Sequence, residues 1–250
     1  MYENILDVID VKKSYRKSGV FSQKRQQILK RVSFSMAQGE CLGIIGESGS
    51  GKSTLGRIML GIERPDSGEV LLEGKNVLKA KNRRGIMSAV FQDYSASICP
   101  NQTVYQAVKE PMDVLGIYND RNTISGLLER VGLDSSFLDR FQHELSGGEA
   151  QRVCIARAIS TSPRFLLLDE AISSLDVTVQ VQILDLLKQL RQQSNMSYLF
   201  ITHDIQAAAY ICDNLIIFNN GSVVEKTSIE RISEVKDEYS QKLLNAVITV

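Results

Sequence analysis

A glycine-rich segment that ends in a lysine and a hydroxyl has the residue types needed to hold phosphate groups: Gly46-Glu47-Ser48-Gly49-Ser50-Gly51-Lys52-Ser53. This spacing is that of a phosphate-binding loop, whose backbone N–H groups turn toward a bound anion. Lys52 adds a positive charge at the β- and γ-phosphates, and Ser53 offers its hydroxyl to Mg²⁺. A predicted helix begins at Ser53 and continues through Thr54, so its dipole also favours an anion. The segment predicts binding of a nucleoside triphosphate.

Two carboxylates, Asp169 and Glu170, follow the apolar run at 165–168. After a phosphate-binding loop, Asp169 is a candidate ligand for Mg²⁺, and Glu170 is a candidate general base that polarises an attacking water. Such a pair by itself is weak evidence for a catalytic site, because apolar strands often end in acidic residues.

Gln92 and His203 also follow apolar runs, at 88–91 and 198–202. Ligands gather at the carboxyl ends of strands in open α/β sheets. Gln92 can reach the metal and the water with its side-chain oxygen, and His203 can hydrogen-bond the γ-phosphate. An isolated glutamine is otherwise a surface residue, and a lone histidine is usually structural. His143, in a polar context, is predicted to lie on the surface.

A second glycine-rich segment, Leu145-Ser146-Gly147-Gly148-Glu149, opens a predicted helix that extends to residue 160. Ser146 can cap this helix, and the two glycines allow the backbone to approach an anion closely. An ordinary capped helix is the alternative interpretation. Because the first loop already holds the phosphates within its own chain, a second phosphate-binding helix start suggests that two copies close on shared ATP.

Composition excludes several classes of protein. The chain has 250 residues, 43% of them hydrophobic, which is typical of a globular protein. Lys plus Arg and Asp plus Glu each number 29, so no basic excess predicts a nucleic-acid partner. The four cysteines form no Cys-x-x-Cys pair and are expected to be small, mostly buried residues in a reducing compartment. No signal peptide is predicted, and the apolar runs are far shorter than the roughly 20 residues that span a bilayer.

Hydrophobic periodicity predicts an α/β fold. The predicted strands cover 5–12, 27–36, 41–45, 69–73, 88–91, 165–168 and 198–201, followed by a hairpin of 215–218 and 223–224 around Asn220-Gly221. The predicted helices cover 53–61, 177–193 and 237–247, and a polar loop covers 16–26. We expect one domain, 1–250, in which 1–94 and 163–250 form a P-loop NTPase core with an N-terminal antiparallel β subdomain. Residues 95–162 are expected to form a helical insert.

The order of these motifs resembles the ATP-binding subunit of ABC transporters, and the resemblance covers about residues 5–225. It implies an ATP hydrolase that forms a head-to-tail dimer with two ATP molecules and Mg²⁺ at the interface. Each site would pair the loop of one subunit with the segment from Leu145 to Glu149 of the other. Asp176, in Ser173-Ser174-Leu175-Asp176, resembles the residue that joins the two sites, and Tyr15 matches the aromatic that stacks on adenine.

Further details are similar to the second ATPase of peptide/nickel importers. They include the basic loop before Ile28, the run Phe91-Gln92-Asp93 and the step Ile98-Cys99-Pro100. Ala171-Ile172, where most relatives have Pro-Thr, is similar to nickel-import ATPases. This resemblance favours a nickel, cobalt or metal–chelate importer. The alternatives are a dipeptide or oligopeptide importer and a non-transport ABC ATPase. Ser146-Gly147-Gly148 and the Gln92/His203 pair argue against an unrelated P-loop kinase or GTPase, and no guanine-reading Asn-Lys-x-Asp motif occurs.

Two departures from the family pattern stand out. Glu149 replaces the commoner glutamine, and Cys99 replaces a frequent asparagine. Neither change removes a catalytic group. The implied partners are a second ATP-binding subunit, either a paralogue or a second copy, two membrane-spanning permease subunits and, indirectly, an extracellular substrate-binding protein. The implied location is the cytoplasmic face of the cell membrane.

Overall fold

The computed structural model describes residues 4–16 and 25–248. The strands of these residues are β1 (Asn4–Arg16), β2 (Arg25–Ala37), β3 (Cys41–Ile45), β4 (Ser67–Leu72), β5 (Lys75–Asn76), β6 (Met87–Phe91), β7 (Phe165–Asp169), β8 (Ser197–Thr202), β9 (Asn214–Asn219) and β10 (Ser222–Ser228). The helices are α1 (Lys52–Met59), α2 (Tyr94–Ser97), α3 (Val104–Leu115), α4 (Arg121–Arg130), α5 (Gly147–Ile159), α6 (Val177–Ser194), α7 (Ile205–Ile211) and α8 (Glu238–Ile248).

The chain divides into two compact units. The first unit combines Met1–Arg83 with Ser197–Val250, and the second unit is Arg84–Met196.

An antiparallel sheet in the first unit has the strand order β2-β1-β4-β5. In β2, Leu29, Val32 and Met36 are buried while most of their neighbours along the strand are exposed. Such a pattern is typical of a sheet with one covered face. This sheet confirms the predicted antiparallel β portion near the N-terminus.

A second set of strands in the first unit runs in the order β10-β9-β3-β8. Strand β3 is parallel to both β8 and β9, and every residue of β3 and β8 is buried. A continuous apolar sequence is what a strand covered on both faces requires. The register pairs Ile45 with Thr202, so β3 and β8 end at the same edge.

A two-residue turn joins β9 to β10. Asn220 and Gly221 have φ values of 46° and 78°, which is the left-handed conformation that a type I′ turn requires at both positions. The predicted hairpin is therefore confirmed. The Gly221 N–H donates to the Ser50 carbonyl at 2.9 Å, and the Gly221 carbonyl accepts from the Lys30 N–H at 2.7 Å. The turn thus supports the phosphate-binding loop.

The second unit contains the parallel pair β6–β7. Along the chain, the elements between these strands are helical, and α5 packs against α2, α3, α4 and α6. Helix α3 begins with a capping box, in which Thr103 and Gln106 each bond the other's backbone N–H. The sequence boundaries at 95 and 162, and the single-domain division built on them, stay predictions.

Two local expectations differ from the structure. Strand β1 extends to Arg16 and β2 begins at Arg25, so the loop predicted over 16–26 is shorter than expected. Its remaining part, 17–24, lies outside the described residues. Helix α7 was not predicted. It has seven residues and begins where Asp204 accepts from the Ala207 N–H at 3.0 Å, and so short an apolar segment has no distinctive periodicity.

Replacing Gly221 with alanine is expected to destabilise the protein. A Cβ at this position would lie 2.0 Å from the Ile28 carbonyl oxygen, and the positive φ already disfavours a side chain. We expect the free energy of unfolding to fall by at least about 2 kcal/mol, measured by chemical denaturation. Gly126→Ala in α4 is the matched control, because its Cβ would meet nothing within 4 Å. This control is expected to gain up to about 1 kcal/mol. Equal stability of the two variants would contradict the prediction.

Candidate functional site

Glycine is required at both ends of the phosphate-binding loop. Gly46 follows β3, and a Cβ there would lie 2.0 Å from the Phe218 carbonyl oxygen. Gly51 has a φ of 108° and precedes α1, which begins at Lys52. The strand, loop and helix therefore follow one another as the spacing predicts.

Lys52 is held against the loop that it follows. Only 5% of this residue is exposed, and its Nζ donates to the carbonyls of Gly46 at 2.7 Å and Glu47 at 2.9 Å. The Ser50 Oγ is buried within the loop without a hydrogen-bond partner, and buried polar groups are normally paired. Ser53 is exposed in the first turn of α1. A lysine, an orphaned hydroxyl and glycine backbone suit the binding of a phosphate chain.

Two contacts from distant residues support the loop from outside. Besides the bond from Gly221 to the Ser50 carbonyl, the Glu47 N–H donates to the Tyr239 hydroxyl of α8 at 3.3 Å. Sequence reasoning missed Tyr239, and no local pattern signals it, because 192 positions separate it from Glu47.

His203 lies just past the end of β8. Because Ile45 pairs with Thr202, Gly46 and His203 follow the ends of neighbouring strands at one edge of the first unit. The imidazole is exposed there. The structure thus brings His203 to the edge where the loop begins, and its role toward the γ-phosphate stays a prediction.

Tyr15 lies near the end of β1 with 36% of its surface exposed. Its hydroxyl donates to Glu63 Oε1 at 2.6 Å, and Lys13 Nζ lies 5.4 Å from the ring centroid. Sequence reasoning singled out Tyr15 but missed Glu63, since 48 positions separate the two residues.

The predicted acidic residues are placed by β6 and β7 of the second unit. Phe91 pairs with Asp169, so Gln92 and Glu170 each follow a strand at the same edge of the pair. Asp169 is 9% exposed and ends β7. Glu170 has a φ of 52°, a conformation that costs a non-glycine residue energy and is often found at functional sites. Its carbonyl accepts from both the N–H and the hydroxyl of Ser173.

Ser146 caps α5 in a reciprocal arrangement with Glu149. The Glu149 N–H donates to Ser146 Oγ at 3.4 Å, and the Glu149 carboxylate accepts from the Ser146 N–H at 2.7 Å and from its hydroxyl at 2.8 Å. The bond from the Ser146 N–H, together with its hydroxyl, lowers the pKa of Glu149. The Glu149 carboxylate, which departs from the family pattern, is therefore hydrogen-bonded to Ser146 at the start of its own helix.

Gly147 and Gly148 allow α5 to pack closely against two segments of the second unit. A Cβ on Gly147 would lie 3.1 Å from the Tyr94 hydroxyl, and one on Gly148 would lie 2.8 Å from Val179. Val179 is in α6, where its N–H donates to the Asp176 carboxylate at 3.0 Å. The structure thus places the second glycine-rich segment near Asp176. Ser146 caps the start of α5, and Asp176 caps the start of α6.

Other candidate chemistry is limited. Cys41, Cys154 and Cys212 are buried and Cys99 is exposed, and burial raises the pKa of the Cys154 thiol to about 12. Within 4–16 and 25–248, no group of three His, Cys, Asp or Glu side chains could hold a metal ion. No helix in this same part of the chain is both long and apolar enough to cross a membrane.

Comparison with known families and curated proteins gives consistent matches. The family model described as "ABC transporter" matches residues 29–173. A metal-staphylopine import system ATP-binding protein, CntF, of Staphylococcus aureus is 48% identical over 96% of this chain and 98% of its own length. An oligopeptide transport ATP-binding protein, AppF, of Bacillus subtilis is 39% identical, over 98% of this chain and 78% of the relative. A nickel import ATP-binding protein, NikE, of Rhodospirillum rubrum is 36% identical, over 94% and 88%.

Solved structures share the fold. The dimeric ATP-binding cassette MJ0796, bound to ADP and Pi after hydrolysis, has a TM-score of 0.79 and 28% identity, and the match covers 90% of this chain and 98% of that one. The cbiO1 protein of Clostridium perfringens, part of the ABC transporter complex cbiONQ, has a TM-score of 0.78 and 25% identity, with 98% and 95% coverage.

The fold and the phosphate-binding loop define an ATPase of the P-loop class, with an antiparallel β portion and a helical stretch between β6 and β7. The chain belongs to the ABC transporter family, since the family model covers more than half of it. It is therefore a nucleotide-binding ATPase whose hydrolysis of ATP is coupled to transport, and the expected ABC ATPase fold is confirmed.

The capping box of α5 is expected to make stability depend on pH. Because the pKa of Glu149 in the fold is lowered from the ordinary 4.5, its carboxylate stabilises the fold above that pH. The contribution is lost as the pH falls through the lowered pKa. Glu149→Gln should therefore be less stable than the wild type at pH 7, and the difference should be smaller at an acidic pH below the ordinary 4.5. Urea denaturation at both pH values measures it, and a difference independent of pH would contradict the assignment.

Proposed function

We propose that this chain powers an ABC importer for nickel, cobalt or a metal–metallophore complex across the cytoplasmic membrane. The observation that carries the proposal is the 48% identity, over nearly the full length of both chains, to the ATP-binding protein of a metal-staphylopine import system. The 36% identity to a nickel import ATP-binding protein supports the same cargo class. Import of a dipeptide or oligopeptide is the second candidate, favoured by the 39% identity to an oligopeptide transport ATPase.

The phosphates of ATP would be bound by the N–H groups of the loop residues 46–53, by Lys52 and by the start of α1 with Thr54. Tyr15 would stack on adenine. Ser53, Gln92 and Asp169 would hold Mg²⁺, and their oxygen donors are the kind that this cation prefers. When bound, the ion supplies charge neutralisation to the phosphates.

Glu170 is proposed as the general base that accepts a proton from the attacking water. A carboxylate can do this when it is within hydrogen-bond reach of the water. Gln92 would orient that water through its side-chain oxygen, and His203 would donate a hydrogen bond to the γ-phosphate.

The active form is proposed to be a head-to-tail pair of ATP-binding subunits. The residues Leu145 to Glu149 and Asp176 of one subunit would complete the site on the loop of the other, and a helix start suits an anion. The partner subunit is proposed to be a paralogue, with a second copy of this chain as the alternative. Pairing is supported by MJ0796, which is dimeric in a solved structure bound to ADP and Pi.

The pair would act at the cytoplasmic face of the membrane with two permease subunits, which receive substrate from an extracellular binding protein. CntF is the ATP-binding protein of a metal-staphylopine import system, and NikE is a nickel import ATP-binding protein. We propose that residues 95–162 pass the motion of the ATPase pair to the permeases, and that the remainder forms the core of a single domain.

Glu170→Gln is expected to keep ATP binding but to reduce turnover by a factor of about 100 or more, because the variant cannot accept the proton. ATP should then hold the subunits as a closed pair, detected by size-exclusion chromatography with and without ATP. Glu129→Gln, on the exposed face of α4, is the matched control and should hydrolyse ATP normally. Normal turnover in Glu170→Gln would show that another group is the base.

The cargo is tested in cells that carry the complete transporter with either the wild-type chain or Glu170→Gln. We expect the variant to lose accumulation of labelled nickel or cobalt, supplied free and as a metallophore complex, while uptake of a labelled oligopeptide is unchanged. Loss of peptide uptake with unchanged metal accumulation would establish the second candidate instead.

A further inference from the structure

Glu63 lies at the centre of a cluster of donors in the first unit. Its Oε1 accepts from the Tyr15 hydroxyl at 2.6 Å and lies 2.9 Å from Lys13 Nζ, while its Oε2 accepts from Arg57 Nε at 3.3 Å. The Glu63 side chain is 21% exposed. The four residues come from β1, from α1 and from the segment after α1, so the carboxylate joins three parts of the chain.

The carboxylate remains charged at neutral pH. Burial opposes ionisation, but the hydrogen bonds from Tyr15, Lys13 and Arg57 outweigh it, and the net effect lowers the pKa of Glu63. A hydroxyl that donates to a carboxylate forms a shorter and stronger bond than one between neutral groups. The Tyr15–Glu63 bond is therefore a strong constraint on the tyrosine.

The cluster extends to the phosphate-binding helix. Arg57 Nη2 donates to Thr54 Oγ1 at 3.2 Å. Thr54 follows Ser53 in the first turn of α1. A continuous series of bonds thus runs from the Tyr15 ring through Glu63 and Arg57 to the helix that starts at the phosphates.

We propose that Glu63 is a positioning residue for the base of the nucleotide. It holds the Tyr15 ring in a fixed relation to α1, so that an adenine ring can stack on it while the phosphates occupy the loop. The inference rests on the proposed function, because it requires Tyr15 to contact the base.

The physical effect is preorganisation. Ordering a free side chain on binding lowers affinity, and a side chain already ordered avoids that loss. Without the carboxylate, Tyr15 would retain its stacking surface but would have to be ordered by the nucleotide. The affinity for ATP should then fall about three- to tenfold. The affinity for inorganic tripolyphosphate, which has no base, should not change.

A purely structural role for Glu63 makes a different prediction. Loss of the ion pairs would then lower stability without changing the ratio of affinities for ATP and tripolyphosphate. The ratio therefore separates positioning of the base from general support of the fold.

The experiment measures binding of ATP and of tripolyphosphate to the full chain by isothermal titration calorimetry. The test variants are Glu63→Ala, which removes the acceptor of the bond, Tyr15→Phe, which removes its donor, and the double variant. Asp10→Asn is the matched control, since it breaks an exposed ion pair with Arg31 in the same sheet. Tyr15→Ala and Lys52→Ala test the stacking and the phosphate site themselves. Melting temperatures confirm that each variant is folded.

We expect Glu63→Ala and Tyr15→Phe to lose similar ATP affinity, the double variant to lose no more than either, and Asp10→Asn to bind normally. The proposal is overturned if Glu63→Ala binds ATP as the wild type does, if the two losses multiply in the double variant, or if tripolyphosphate binding weakens equally. Unchanged ATP binding by Tyr15→Ala removes the stacking role and this inference with it. Unchanged binding by Lys52→Ala would instead overturn the proposed function.

Discussion

Parallel strands that end in register determine where the candidate catalytic groups lie in each unit. In the first unit, Ile45 pairs with Thr202, and the phosphate-binding loop and His203 follow directly. In the second unit, Phe91 pairs with Asp169, and Gln92 and Glu170 follow directly. The evenly spaced hydrogen bonds of a parallel ladder align neighbouring strand ends, so side chains far apart in sequence meet at one edge. Strands β3, β7 and β8 are buried along their whole length.

Backbone conformation limits which residues can occupy these edges. Gly46 passes so close to the Phe218 carbonyl that no side chain would fit. At the start of α5, a Cβ on Gly148 would lie 2.8 Å from the Val179 side chain. The absence of a side chain at position 148 therefore allows α5 to pack closely on α6, and it would also allow an anion to approach the backbone. Glu170 is the opposite case, since it keeps a large side chain in a left-handed conformation. Such a conformation costs a non-glycine residue energy.

Two carboxylates close to the expected nucleotide need a physical explanation, because ATP is itself an anion. Glu149 accepts two hydrogen bonds from Ser146, and Glu63 accepts from Tyr15 and Arg57 and pairs with Lys13. In both cases donors hold the carboxylate and offset its charge. These acidic side chains therefore act on neighbouring protein groups, the cap of α5 and the ring of Tyr15, rather than on the phosphates.

The sequence alone determined the features that depend on adjacent residues. These are the glycine spacing of the loop, the cap of α5, the Asn220-Gly221 turn and the apolar strands that Gln92, Glu170 and His203 directly follow. Each needs only a short stretch of chain, so residue type and spacing suffice. The tertiary structure alone decided the bond from Tyr15 to Glu63, the support of Glu47 by Tyr239 and the contact of Gly148 with Val179. These contacts join residues that no periodicity relates, and they exist only because folding brings separate elements together.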